Sequence, residues 1–243
     1  MNLIIEQGNT ATKIAVFDHE RMLVSSVYEN LGESDLISLF EKYPFVNGIL
    51  STVSEFDDKL IAFLESHLNV FYCLDEHLQL PIDILYDTPK TLGKDRVAAV
   101  VAANFLQPNK NVLVIDAGTA ITYDVVESSG CFIGGNISPG MTTRFRALNQ
   151  FTKRLPMVVE REDIPFLGTS TESAILGGVV NGIIYEMDGY ITDLRCKYPD
   201  LFVFLTGGHS FYFERRLKNS IFAAINLVLI GLNRIIEYNV ENQ

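Results

Sequence analysis

Residues 3–18, LIIEQGNTATKIAVFD, set an apolar run, a tight polar turn holding Gly8, Asn9 and Thr10, and a second run led by Lys13. That pattern predicts a β-hairpin, and the β-branched stretch RMLVSSVYEN (21–30) adds a third strand to an antiparallel start. Helical spacing of Leu36, Leu39 and Phe40 after Ser34 predicts a helix, VNGILST (46–52) a buried strand, EFDDKLIAFLESHL (55–68) a second helix and NVFYCL (69–74) a further strand. Strands alternating with helices imply a mixed sheet with crossovers. Residues 75–92 carry two prolines and little period, so a connecting loop is expected there.

An alanine-rich helix is expected from Gly93 to Leu106, followed by VLVIDAGTAITYDVV (112–126), which restates the opening. Each copy has an apolar strand, a carboxylate (Glu6, Asp116), one spacer residue, a glycine (Gly8, Gly118), a threonine (Thr10, Thr119) and a β-rich second arm. A duplicated domain with two equivalent hairpins is the simplest organisation. Beyond it, Gly134, Gly135 and Gly140 read as turn formers ahead of a helix over 141–152. A long helix runs from about Thr171, LFVFLTGGHS is a buried strand opening into Gly207 and Gly208, and residues 223–239 form a C-terminal helix.

Composition narrows the classes. With 243 residues, 48% of them hydrophobic, the chain can bury one large core or two small ones. A net charge of −11 repels polyphosphate backbones, so neither nucleic acid nor an anionic membrane is expected as a main partner. Cys73, Cys131 and Cys196 are scattered, without a CxxC pair, and read as buried reduced thiols. The start lacks a basic signal-peptide region, and the apolar stretch 220–236 is interrupted by Asn226 and Asn233; a cytoplasmic location is expected.

A buried carboxylate such as Glu6 requires a cation or strong hydrogen bonds. The turn at Gly8, Asn9 and Thr10 is suited either to an ordinary hairpin or to phosphate oxygens, with Lys13 adding a charge. Two such turns, each preceded by an acid, suit a nucleotide with Mg²⁺, which takes one or two protein carboxylates plus phosphate oxygens; Glu6 and Asp116 are the candidates. Gly207 and Gly208 offer a third close backbone approach. Asp95 in a first helical turn is favoured there on electrostatic grounds alone, whereas Arg96 opposes the helix dipole and points to an anionic group. The four histidines show no metal spacing, and neither a nucleophile elbow nor GxxxxGK[ST] is present.

The segments EQGNTATK, YDTPKTLGKDR, DAGTAITYD, GGNISPG, ALNQFTKRLP, GTSTESAI and TGG, in this order, resemble type III pantothenate kinases, within the acetate and sugar kinase, Hsp70 and actin superfamily. The resemblance implies an α/β fold of two RNase H-like (actin-like ATPase) domains, each a mixed five-stranded sheet flanked by helices, with an ATP cleft between them; the expected division is 1–109 and 110–243. It implies phosphorylation of pantothenate by ATP, the first step towards coenzyme A, in a homodimer using Mg²⁺ and a monovalent cation, K⁺ or ammonium. Glu6, Gln7, Gly8, Asn9, Thr10, Ala11, Thr12 and Lys13 would form the first phosphate loop, with Thr119, Gly207 and Gly208 also on ATP. Asp95 would be the general base, and Tyr86, Gly93, Lys94, Arg96 and Thr171 would line the pantothenate pocket. Asp116 would bind the monovalent cation and Glu6 the Mg²⁺. Two positions depart from the family pattern: Glu6 stands for aspartate, and Ser170 for asparagine in G-x-N-T. The rival readings are another small-molecule kinase of the same superfamily and a non-catalytic transcription accessory protein.

Overall fold

The computed structural model describes residues 1–8 and 11–242. In chain order its elements begin with β1 (Asn2–Gln7), β2 (Thr12–Asp18), β3 (Arg21–Tyr28), α1 (Glu33–Lys42), β4 (Asn47–Thr52), α2 (Asp58–His67) and β5 (Val70–Cys73). There follow β6 (Asp83–Ile84), a 3₁₀ turn at Pro89–Thr91, α3 (Lys94–Leu106), β7 (Val112–Ala117), β8 (Ala120–Val126), β9 (Cys131–Pro139) and α4 (Met141–Phe151). The chain continues through α5 (Thr171–Lys197), β10 (Phe202–Thr206), α6 (Ser210–Glu214), β11 (Phe222–Ala223) and α7 (Leu227–Glu241). Two compact units result: the first comprises Met1–Pro108, Gly130–Phe132 and Asn226–Gln243, the second Asn109–Ser129 and Ile133–Ile225.

In the first unit the sheet order is β3-β2-β1-β4-β5. β1 is antiparallel to β2 and parallel to β4, and β4 is parallel to β5. Leu3, Ile5, Ile14, Val16 and Leu50 from the sheet meet Leu36, Leu60 and Leu64 from α1 and α2 in one core. α7 joins this unit. A Cβ on Gly231 would overlap the Ala98 backbone of α3, so only glycine opposite alanine lets these helices approach so closely. Asn233, on the same helix and 3% exposed, accepts from Asn2 Nδ2 at 3.0 Å and donates to the His19 carbonyl at 3.0 Å. The asparagine that makes this apolar stretch too polar for a membrane span is thus a satisfied lock in the core. Among the described residues no helix is long and apolar enough to cross a membrane.

The second unit repeats the plan. β7 is antiparallel to β8 and parallel to β10, and β10 is parallel to β11, so β7, β8, β10 and β11 correspond to β1, β2, β4 and β5. Its core gathers Leu113, Ile115, Ile121 and Tyr123 from the sheet with Met141, Phe145, Ile175, Val179 and Ile183 from α4 and α5. An α/β architecture of two mixed sheets flanked by helices is therefore observed.

Four details differ from the sequence reading. Gly134 and Gly135 lie within strand β9 rather than in turns. The stretch expected as a loop contains β6, whose Asp83 and Ile84 pair in parallel with Cys131 and Phe132 of β9, so strand order gives the second sheet six strands instead of five. Residues from Asn226 onward group with the first unit, because the apolar face of α7 packs on α3 and β1. Finally, Cys73 and Cys196 are exposed and Cys131 half-buried, all three as free thiols; Cys73 ends the edge strand β5 and Cys196 lies in the last turn of α5, where the core no longer covers them.

Candidate functional site

β1 and β2 place Glu6 directly opposite Lys13 in the antiparallel register. The Lys13 ammonium lies 3.3 Å from Glu6 Oε2, while Oε1 faces the Gly8 turn, where a Cβ on that glycine would stand 3.5 Å away. The awkward acid of the first strand is thus partnered within its own hairpin. The Gly8 amide donates to the Ala11 carbonyl at 3.0 Å, closing the turn, and Gln7 Oε1 accepts from Thr52 Oγ1 at 2.6 Å. Thr12 is buried in β2, whereas Lys13 is exposed. The expected ligands Asn9 and Thr10 lie outside the described residues.

Asp116 occupies the same position in β7 that Glu6 holds in β1, one residue before the strand end. Its register partners are Thr122 on β8 and Thr206 on β10. Gly207 has φ +90°, and a Cβ there would collide with the Asp116 carboxylate and the Ala117 backbone; only glycine lets the β10 turn close over this acid. The next residue, Gly208, faces open space, and the His209 amide ties the turn back to the Ala117 carbonyl at 3.0 Å. Thr119 is exposed at the hairpin tip. Its carbonyl accepts from the Gly140 amide at 3.0 Å and from Thr143 Oγ1 at 2.7 Å, so the start of α4 holds the second loop.

Tyr86, Gly93, Lys94, Asp95 and Arg96 come together in the first unit around the N-terminus of α3. Gly93 caps the helix, and a Cβ on it would crowd Asp95 Oδ1, which accepts from the Arg96 amide at 2.8 Å. Asp95 is half-buried and Arg96 is 6% exposed. The Arg96 guanidinium carbon stands 5.6 Å from the Tyr86 ring centroid and 5.9 Å from that of Phe132. A carboxylate fixed by a helix amide, beside an arginine flanked by rings, can accept a proton from a bound hydroxyl and hold an anionic group.

Comparison with known proteins decides the family. The family model for type III pantothenate kinase matches residues 2–193. Type III pantothenate kinases of Phocaeicola vulgatus and Bacteroides fragilis (strain YCH46) are 48% and 50% identical to the chain; each alignment covers 98% of it and 99% and 98% of the relative, respectively. The chain belongs to the type III pantothenate kinase family. The fold is similar to that of a Campylobacter jejuni protein assigned to the Baf family of transcriptional activators (TM-score 0.65, 21% identity, 98% and 99% of the two chains). It is also similar to that of a Listeria monocytogenes protein assigned as an N-acetylmannosamine kinase (TM-score 0.54, 12% identity, 100% and 99%).

Both departures from the family pattern have a local account. Ser170 is the N-cap of α5: its Oγ accepts from the Ser173 amide at 3.2 Å while Ser173 Oγ accepts from the Ser170 amide at 2.9 Å. Serine and asparagine cap helices about equally well, so the exchange preserves the helix start. Glu6 has the reach to meet Lys13 across the strand pair. Thr171 begins α5 and lines an apolar groove of the second unit with Arg144, Leu148, Ile175 and Val179.

Sequence reasoning missed Phe132, Thr143 and the half-buried network around Glu186. Arg144 donates to Glu186 at 2.5 Å, to Ser138 Oγ at 2.8 Å and to the Pro139 carbonyl at 2.8 Å, and the Tyr123 hydroxyl donates to Glu186 at 2.8 Å. Burial pushes the Glu186 carboxyl up, but hydrogen bonds from Arg144, Tyr123 and Ser138 outweigh it and hold the group below the usual glutamate value. Burial and then the bond to Glu186 push the Tyr123 hydroxyl far up. The signal for Thr143 was its position after the Gly140 break; for Phe132 none stood out, because its short apolar run, Cys131–Ile133, lies between Gly130 and Gly134.

Proposed function

We propose that the chain phosphorylates pantothenate with ATP to give 4′-phosphopantothenate, the first step of coenzyme A synthesis, with Asp95 as general base. The observation that carries this reading is the Asp95–Arg96 pair at the start of α3, within a chain 48–50% identical to type III pantothenate kinases. Asp95 takes the proton of the pantothenate hydroxyl as its oxygen attacks the γ-phosphorus of ATP; the bond to the β,γ-bridging oxygen breaks and ADP leaves. Phosphoryl transfer passes through a loose transition state, so the positioning of the two substrates outweighs the base in importance. Tyr86, Gly93, Lys94, Arg96 and Thr171 bind pantothenate. Residues 6–13, Thr119, Gly207 and Gly208 bind ATP, with glycine amides and the Lys13 charge on phosphate oxygens.

The cations fit the donors present. Asp116, closed over by Gly207, presents a carboxylate suited to K⁺ or ammonium. Glu6 has one oxygen on Lys13 and the other towards the Gly8 turn, which suits Mg²⁺ held mainly by phosphate and water. Among the described residues no three His, Cys, Asp or Glu side chains gather into a metal cluster. When bound, Mg²⁺ supplies charge neutralisation on the phosphates. A homodimer is part of the reading, supported by Phe151, Phe166 and Leu167, exposed at 78–81% on the second unit. So is a cytoplasmic location, in accord with three unpaired thiols. The net charge of −11 weighs against the transcription-accessory reading.

The test is ADP release with pantothenate, acetate or sugars as acceptor, with and without K⁺, on the natural chain and Asp95→Asn. Pantothenate alone is expected to support turnover. Asp95→Asn is expected to lower turnover roughly 10²- to 10⁴-fold while ATP affinity stays nearly intact. ATP binding that collapses together with turnover refutes the base assignment, and release driven by sugar or acetate refutes the substrate.

A further inference from the structure

We infer that Phe132, which no substrate can touch, is a positioning residue that sets pantothenate affinity by holding the Arg96 guanidinium against Tyr86; the inference rests on the pantothenate reading. Phe132 is 0% exposed and Arg96 6%. Both rings lie within the roughly 6 Å at which a cation is attracted to an aromatic face. The rings also stack on each other, with centroids 5.9 Å apart and planes at 27°. A guanidinium is planar and weakly hydrated, so it tolerates this environment where an ammonium would not.

The backbone explains how two distant residues form one wall. β6 pairs in parallel with the start of β9, with Ile84 opposite Phe132. The Asp83 amide donates to the Gly130 carbonyl at 3.1 Å and the Leu85 amide to the Phe132 carbonyl at 2.9 Å. The ladder therefore ends one residue before Tyr86 and delivers its ring beside Phe132. A two-residue strand adds little to a sheet of this size. Its effect here is local: it fixes the spacing between the two rings, and with it the direction of the arginine between helix start and substrate pocket. A cation in the first turn of a helix opposes the helix dipole, and the two rings are part of what keeps Arg96 there.

The test is a double-mutant cycle of Phe132→Leu and Arg96→Lys, read as KM for pantothenate, kcat, KM for ATP and pantothenate binding by calorimetry. Phe132→Leu alone is expected to raise KM for pantothenate roughly twofold to thirtyfold, the range of a cation–π contact, with KM for ATP unchanged. In the Arg96→Lys background the same change is expected to add almost nothing, because the two residues act as one unit. Additive effects, or a fall in thermal stability with KM unmoved, overturn the inference and leave Phe132 as packing. Phe132→Met, of similar volume, replaces Phe132→Leu if the latter does not fold. Tyr86→Leu reads the other ring by the same cycle, its side chain being only half-buried, and additivity there refutes the clamp equally. Wild type that neither binds nor turns over pantothenate overturns the functional reading, and the clamp with it.

Discussion

Gly207→Ala tests the second loop most directly. At φ +90° an alanine enters a left-handed region that costs an L-residue about 1–2 kcal/mol. Its Cβ would also overlap Asp116 Oδ1 and the Ala117 backbone, and relieving such overpacking typically costs about 1–3 kcal/mol. The sum, about 2–5 kcal/mol, lowers Tm by roughly 4–20 °C for a chain of this size. The carboxylate can swing away but Ala117 cannot, so the expected result is a Tm loss in this range together with a higher K⁺ concentration for half-maximal ADP release. Gly208→Ala is the internal control: its Cβ enters open space, so stability changes by less than about 0.5 kcal/mol. Thermal denaturation followed by circular dichroism gives the first quantity, and a K⁺ titration of ADP release the second. If Gly207→Ala melts within about 2 °C of the natural chain and needs no more K⁺, the packing of this turn on Asp116 is not what shapes the site.

Glu6→Gln removes an ion pair whose lysine is nearly half exposed, so stability is expected to fall by less than about 1 kcal/mol, while the Mg²⁺ requirement for turnover rises. An unchanged Mg²⁺ titration would leave Glu6 only as the partner of Lys13. Glu186 titrates below the ordinary glutamate value, so its charge adds stability that is complete above that value and vanishes as pH falls through the depressed one. Glu186→Gln is therefore expected to melt below the natural chain at pH 7, with the gap closing as pH falls below the carboxylate range. A gap that stays constant with pH argues that Glu186 contributes shape and not charge.

Regular periodicity made most of the fold legible. The hairpins at Glu6 and Asp116 and the helices at 33–42, 58–67 and 171–197 follow from local spacing of apolar residues, which needs no knowledge of partners. β9 escaped because Gly134, at φ +124°, and Gly135 carry turn chemistry inside a strand. β6 has two residues and α6 five, too few for any period to register. The allegiance of α7 escaped for another reason. It depends on Gly231 meeting Ala98 and Asn233 meeting Asn2, contacts between segments far apart in the chain. In the site, the acid-glycine-threonine repeat could be read directly from the residues, but the Lys13 partner of Glu6 required the strand register and Phe132 required the β6–β9 ladder.

The Asn2–Asn233 lock joins positions 231 residues apart, and that separation sets a schedule for synthesis. β1 and α3 leave the ribosome long before α7, which covers their apolar faces, so the first unit cannot finish folding while most of the chain is being made. At about 5–20 residues per second the wait lasts roughly 10–50 s. The second unit, apart from the break at Gly130–Phe132, is one uninterrupted stretch and has every segment it needs before α7 emerges. The half translated first is therefore completed last, and the nascent chain carries an open hydrophobic face through nearly its whole period of growth.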